Sequence, residues 1–216
     1  MLALIQARTN SKRLSNKILR ELFGKPIIKH VIDRVKKSKR VKKIIVVTSK
    51  NRSDDKLANY LLKIKCNIYR GSLNNVAQRT YEAAKKNNSL NFLRISADSP
   101  LIDPYLIDKI ISLKNKKKYK KYDLITNIFP RRFPRGQSVE IINTKTLFKN
   151  LKKMSKNEKE HVTKYFYNNY KNFLIKNLFL TKKIKYKKLA IDTLQDLNYI
   201  NKEFDKNKIK KFSIYK

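Results

Sequence analysis

The stretch Leu2-Ala3-Leu4-Ile5-Gln6, followed by Ala7-Arg8-Thr9-Asn10-Ser11-Lys12-Arg13-Leu14-Ser15-Asn16-Lys17, decides the fold class. The first run is nearly all apolar, too short for a helix, and suits a strand buried on both faces, as in a parallel sheet. A polar, basic loop follows. Ile27, Ile28, Val31, Ile32 and Val35 then recur at helical spacing behind Pro26, a residue favoured in a first helical turn. Working outward, the order strand, loop, helix repeats. Residues 43–48, around Ile44-Ile45-Val46-Val47, read as a second buried strand, and Ser53-Asp54-Asp55 caps a helix to about Lys63. Residues 67–70 form a third strand, 74–86 an Ala-rich helix and 92–96 a fourth strand. Asp103-Pro104 opens another helix, and 122–126 and 138–142 are further strands. This alternation predicts an α/β domain with a largely parallel sheet. The final third predicts helices over 144–153 and 158–169, strands over 173–179 and 188–191, and a closing helix. With no internal repeat and no Pro- or Ser-rich linker, residues 1–216 read as one continuous domain.

At 216 residues and 41% hydrophobic content the chain can bury a sizeable core without disulfides or metals. It is too apolar for a disordered polycation. Its formal charge of +38 has two readings. Lys outnumbers Arg 42 to 12, Asn reaches 22 and Gly falls to 3, the pattern of a coding sequence drifting toward A- and T-rich codons. Pairs and triplets such as Lys36-Lys37, Lys85-Lys86 and Lys116-Lys117-Lys118 are scattered, and no basic arm separates from the fold. A solvated lysine surface is therefore preferred to a specific nucleic-acid groove. Gln6 and Arg8 interrupt the apolar start too early for a signal peptide, and no segment approaches a membrane span. The single Cys66 cannot form an internal disulfide and reads as a small buried side chain. A reducing cytoplasm is the expected compartment.

In open α/β sheets ligands bind beyond the carboxyl ends of the strands, so loops that follow strands are searched first. The loop after the first strand carries Arg8, Ser11, Arg13 and Lys17, a mixture able to grip a polyphosphate. It lacks the glycines of a P-loop, and an ordinary solvated basic loop is the alternative. After the fourth strand comes Arg94-Ile95-Ser96-Ala97-Asp98-Ser99-Pro100-Leu101-Ile102-Asp103-Pro104. Asp103 is a helix cap, which leaves Asp98 either to bind a hard cation such as Mg²⁺ or to stabilise its own turn. In Ile191-Asp192-Thr193-Leu194-Gln195-Asp196, Thr193 and Asp196 form a capping box and free Asp192 for a ligand. Arg131, Arg132 and Arg135 make a basic loop between Pro130 and Gly136. Glu140 can reach sugar hydroxyls or pair with one of those arginines. His30 reads as a packing residue, and His161 as a structural residue near a helix start.

The run from Ile5-Gln6-Ala7-Arg8 through Ser11-Lys12-Arg13-Leu14 and Lys17, then Gly24-Lys25-Pro26, resembles the nucleotide-binding signature of the CMP-sugar synthetase family. It is most similar to the spore-coat polysaccharide biosynthesis protein F-like cytidylyltransferases. Later motifs of that family recur in order as Arg70-Gly71-Ser72, Arg94 through Asp103, Pro134 with Gly136 through Glu140, Glu160-His161-Val162-Thr163, and Ile191-Asp192-Thr193 with Asp196-Leu197. The resemblance implies a nucleotide-diphospho-sugar transferase fold, Rossmann-like and of GT-A type, with a mostly parallel mixed sheet. It implies a reaction of CTP with a sugar or sugar acid giving a CMP-sugar and pyrophosphate, for surface polysaccharide. Ala7, Arg8, Ser11, Arg13 and Lys17 would hold the nucleotide and leaving pyrophosphate, Asp98 and Asp192 would carry Mg²⁺, and Arg79 and Arg94 would support the site. Arg94, Arg135 and Glu140 complete the substrate-binding set, with Arg13, Lys17 and Asp98 as the catalytic groups. A homodimer is a further expectation. The chain departs from the family at Leu14-Ser15-Asn16-Lys17, where Leu-Pro-Gly-Lys is usual, and this predicts a less preorganised loop. Arg135 and Ser138 replace acidic residues common near Gly136, and Leu194 replaces a helix-starting Pro. Two alternatives remain: a nucleotide-sugar glycosyltransferase, against which the absence of Asp-x-Asp counts, and a basic nucleic-acid-binding module.

Overall fold

The computed structural model describes residues 1–10, 13–180 and 185–215. Strand β1 (Leu2–Gln6) leads through the basic loop to a short antiparallel pair, β2 (Glu21–Leu22) and β3 (Lys25–Pro26), and then to helix α1 (Ile27–Lys36). The alternation continues with β4 (Lys43–Ser49), α2 (Asp55–Lys63), β5 (Ile68–Gly71), α3 (Val76–Lys86), β6 (Asn91–Ser96) and α4 (Pro104–Asn115). The remainder comprises β7 (Leu124–Thr126), β8 (Glu140–Asn143), α5 (Thr144–Asn150), α6 (Lys156–Glu160), α7 (Lys164–Asn168), β9 (Ile175–Asn177), α8 (Leu194–Glu203) and α9 (Lys206–Lys211).

Seven strands form one sheet in the order β5-β4-β1-β6-β8-β7-β9. β8 runs antiparallel to both neighbours, and the other strands are parallel to one another. β1 is central in the parallel half and its alternating side chains serve two cores. Ala3 and Ile5 pack with Ile28, Val31, Ile32 and Val35 of α1 and Leu106, Ile107 and Ile110 of α4. Leu2 and Leu4 face Val76, Ala77, Ala83 and Ala84 of α3, with Val162 and Phe166 beyond. Burial on both faces explains why β1 tolerates so little polarity. Pairing with β4 and β6 extends past the strand ends: Ala7 N–H donates to Val47 at 3.0 Å and Ala97 N–H to Gln6 at 3.0 Å. The loops after β1 and β6 therefore leave the sheet side by side.

A third cluster fixes those loops from below. Leu14 joins Leu101, Leu189, Ile191, Leu197, Ile200 and Phe204, so the loop after β1 is tied to the segment before α8. Gly136, at φ +93°, lies so close to that segment that a Cβ would come within 2.5 Å of the Ala190 nitrogen. Only glycine permits this approach.

The structure corrects several expectations. Asp54 does not cap α2 through its side chain; it is fully buried and accepts hydrogen bonds from the N–H and hydroxyl groups of Thr9 and Ser49. A 3-10 turn, Arg52–Asp54, capped by Asn51, precedes α2 instead. The single helix expected over 158–169 is two, broken at His161, which ends α6. No Gly or Pro marks this break, and Val162 and Phe166 just beyond it are buried in the cluster that α3 lines. Residues 188–191 are not a sheet strand: Lys188 makes one isolated bridge to Arg135, and Ile191 N–H donates to the Asp98 carbonyl at 2.9 Å. Part of the closing region forms a second helix, α9, capped by Asp205.

Candidate active site

The loops after β1 and β6 and the segment before α8 converge on a cleft of about 620 Å³. Gln6, Ala7, Arg8, Asn10, Arg13, Lys17, Arg94, Ser96, Asp98, Glu160, His161 and Asp192 contribute to its walls. At its floor the Lys17 ammonium lies 3.2 Å from Asp98 Oδ2 and 3.0 Å from Asp192 Oδ1. Arg13 Nη2 approaches the same Asp192 oxygen at 3.3 Å, but its side chain is 67% exposed. Ile191 N–H on the Asp98 carbonyl is the backbone contact that brings residues 98 and 192 together. Burial raises the Asp192 carboxyl, yet hydrogen bonds and charge from Lys17 and Lys188 outweigh it and hold the group below its ordinary value.

Lys17 reaches this place because the loop closes on itself. Lys17 N–H donates to Leu14 at 3.2 Å, Leu19 N–H to Asn16 at 2.8 Å, and Arg20 Nε to the Ser15 carbonyl at 3.2 Å. Asn16 adopts φ 51° and ψ 26°, the left-handed conformation that Asn accepts more readily than other side-chain-bearing residues. Asn16 thus supplies, without glycine, the left-handed turn on which Lys17 follows. Thr9, locked to Asp54, fixes the start of the loop. Ser11 lies outside the described residues.

Arg8 donates to Glu160 Oε1 at 2.7 Å across the cleft mouth. His161 beside it is held below its usual value by burial, with Arg94, Lys164 and Arg8 adding to the effect against Glu160. Arg94 projects from β6, donating through Nε to Gln6 Oε1 at 3.0 Å and through Nη1 to Glu140. Glu140 is fully buried and also accepts from the Tyr167 hydroxyl, so its partner is Arg94 and not the 131–135 loop. Burial and Glu140 push the Tyr167 hydroxyl well above its ordinary value. Glu140 and Arg135 do not line the cleft: Arg135 is exposed, with its backbone paired to Lys187 and Leu189. Arg79 is buried behind the loop after β5, donating to the carbonyls of Ser72 and Leu73, and burial lowers it to about 10. His30 contacts the Leu22 carbonyl as a packing residue. Glu160 lies inside a family motif but without an assigned role, and Lys188 lies in none; their approach to Arg8 and to Asp192 and Asp196 places both at the site.

A larger cavity, about 1250 Å³, lies between α1, α4 and the C-terminal segment. Asp108 is the acidic side chain in its lining, and it is occupied by Ser38 and the N–H groups of Lys39 and Arg40. The strand-end cleft joins two carboxylates to side-chain cations, and chemistry is assigned there.

Among the described residues no group of three or more His, Cys, Asp and Glu side chains forms a metal cage. Asp98 and Asp192 nevertheless direct one oxygen each at a single cationic group, and two carboxylates plus substrate phosphates are the usual protein share of a Mg²⁺ shell. The donor set fits such an ion.

A mostly parallel mixed sheet with cationic loops and two carboxylates at its carboxyl edge defines a nucleotidyltransferase of the nucleotide-diphospho-sugar transferase fold. The chain belongs to the cytidylyltransferase family, whose model matches residues 2–215, and it is an enzyme of that family. The uncharacterized protein MJ1063 of Methanocaldococcus jannaschii is 34% identical over 95% of this chain and 84% of its own. The spore coat polysaccharide biosynthesis protein SpsF of Bacillus subtilis is 27% identical over 95% of this chain and 87% of its own. A cytidylyltransferase structure from Leptospira borgpetersenii superposes with a TM-score of 0.85 at 30% identity, covering 96% of this chain and 91% of that one. The family match favours neither a glycosyltransferase nor a nucleic-acid-binding module. No helix among the described residues is long and apolar enough to cross a membrane.

Proposed function

We propose that the enzyme transfers the cytidylyl group of CTP to a hydroxyl of a sugar or sugar acid, forming a CMP-sugar and pyrophosphate for surface polysaccharide synthesis. The observation that carries this reading is the convergence of Asp98 and Asp192 on Lys17 beside a basic loop. In the reaction the sugar oxygen bonds to the α-phosphorus, the bond from that phosphorus to the β-phosphate oxygen breaks, and the hydroxyl proton leaves with solvent. Asp98 and Asp192 would hold Mg²⁺, which when bound neutralises phosphate charge and lowers the pKa of the attacking hydroxyl.

The chain's own groups supply the rest. Lys17 and Arg13, both facing Asp192, stabilise the departing pyrophosphate. Ala7 and Arg8, which line the cleft, bind the nucleotide together with Ser11. Arg94, steadied by Gln6 and Glu140, faces the substrate, and Glu140 acts through it. His161 is not required as a base. The enzyme acts in the cytoplasm as a homodimer.

A pyrophosphate-release screen of CTP, ATP, GTP and UTP against neutral sugars and sugar acids tests base, reaction and acceptor together. Release is expected with CTP and one acceptor class in the presence of Mg²⁺. Failure with every nucleotide and acceptor would sink the reading.

A further inference from the structure

The two carboxylates at the cleft floor each have one oxygen committed elsewhere, and this has a consequence for the ion they select. This selectivity rests on Asp98 and Asp192 being the metal ligands of the proposed reaction. Asp98 Oδ2 faces Lys17, while its Oδ1 accepts the Ser99 hydroxyl at 3.1 Å. Asp192 Oδ1 faces Lys17 and Arg13, while its Oδ2 lies 3.2 Å from the Lys188 ammonium. Two oxygens thus point at one place and two are turned away.

Lys188 is itself held. Its ammonium lies 2.6 Å from Asp196 Oδ2, which also accepts the N–H groups of Asp192 at 2.8 Å and Thr193 at 2.9 Å. The Asp196 carboxylate, the start of α8 and the far oxygen of Asp192 form one braced unit. Ser99 is buried.

A cation held at the Lys17 position is therefore offered one oxygen from each carboxylate. Single-oxygen ligation suits Mg²⁺, which demands a tight octahedron, whereas Ca²⁺ takes six to eight oxygens and accepts both oxygens of a carboxylate. We propose that Lys188, acting through Asp192, and Ser99, acting through Asp98, are positioning residues that set the site for a small octahedral cation by withholding the second oxygen of each carboxylate. A merely structural role at the start of α8 predicts a change in stability with no change in metal preference.

The test is Mn²⁺ binding to the full chain followed by electron paramagnetic resonance, with Mg²⁺ and Ca²⁺ as competitors. Lys188→Gln and Ser99→Ala are each expected to shift the Ca²⁺ to Mg²⁺ competition ratio toward Ca²⁺ by about fivefold, and Lys188→Arg to leave it in place. Circular dichroism verifies folding, and if Lys188→Gln fails to fold, Ser99→Ala decides alone. A ratio unchanged within about twofold in every folded variant overturns the proposal. Asp192→Asn separates this failure from a deeper one. If it abolishes Mn²⁺ binding while the ratio never moves, only the proposal falls; undiminished binding in Asp192→Asn, or none in the unaltered chain, defeats the ligand reading and the proposal with it.

Discussion

At the C-terminal segment the Arg34 guanidinium donates to the carbonyls of Ile102, Ile209 and Phe212, whereas in the strand-end cleft the Lys17 ammonium is shared between Asp98 and Asp192. Asp103 completes the first arrangement, accepting from Tyr105 N–H, the Ser213 hydroxyl and Ile214 N–H. Both regions take charge out of water, and burial lowers Arg34 to about 10. Their partners differ in kind. Backbone groups cannot leave Arg34 without detaching the C-terminal segment, so that site is a clasp. The cleft's cations sit on long side chains: a phosphate can replace the carboxylates as their partner, and a metal ion can replace the cations on the carboxylates, so its charge balance is exchangeable.

The comparison predicts that function and stability separate between the regions. Asp98→Asn should lower kcat for pyrophosphate release by about 10³-fold. Its melting temperature should stay level, because Lys17 keeps Asp192 as a partner. A destabilised but fully active variant would move the cleft into the same class as the clasp.

Arg34→Met should do the opposite. It leaves the carbonyls of Ile102, Ile209 and Phe212 without their donor in a buried place, a loss of about 3 kcal/mol. Urea unfolding measures this, and kcat per folded molecule should be unchanged. A Met variant of wild-type stability would show that other contacts hold the segment.

Arg13→Lys probes the exchangeable side more gently. Arg13 is mostly exposed, and its approach to Asp192 is longer than that of Lys17, so stability should not move. The planar fork matters only when a phosphate is present, and kcat should fall by about tenfold. Full activity in the Lys variant would contradict the idea that the arginines kept in so lysine-rich a chain mark positions needing that fork.

What the sequence revealed follows the same division between local and distant causes. β1 was legible from its apolar run, Asp103 from the Pro behind it, and the α8 cap from Thr193 and Asp196, because each signal lies within a few residues of its effect. The candidate loops were legible because the alternation of elements places them at one edge of the sheet. Asp54 looked like a cap in the sequence, since nothing local reveals that Thr9 and Ser49 surround it. The break at His161 was illegible for the same reason. Glu140 could be expected near arginines, but the choice of Arg94 over Arg131, Arg132 or Arg135 depends on the antiparallel register that sets Arg94 opposite Glu140. Lys188 was one lysine among many until Asp192 and Asp196 were seen on either side of it.

Acid titration gives the smallest separation. Asp192 and Asp196 are both held below their ordinary value of 3.8 by lysines and backbone N–H groups, against the upward push of burial. A carboxyl lower in the folded than in the unfolded chain adds stability that is complete above the unfolded value and lost as pH falls through the folded one. The loss over that range belongs to the carboxyls. The urea midpoint should therefore be flat from neutral pH down to about 5 as far as these groups are concerned, and decline below about 4. Asp192→Asn should flatten part of that decline, since Asn cannot titrate, while lowering the plateau at neutral pH. An unchanged acid slope in the Asn variant would mean that Lys17 and Lys188 gain as much from water as from Asp192, and that the cleft's charges are balanced by solvent instead of by one another.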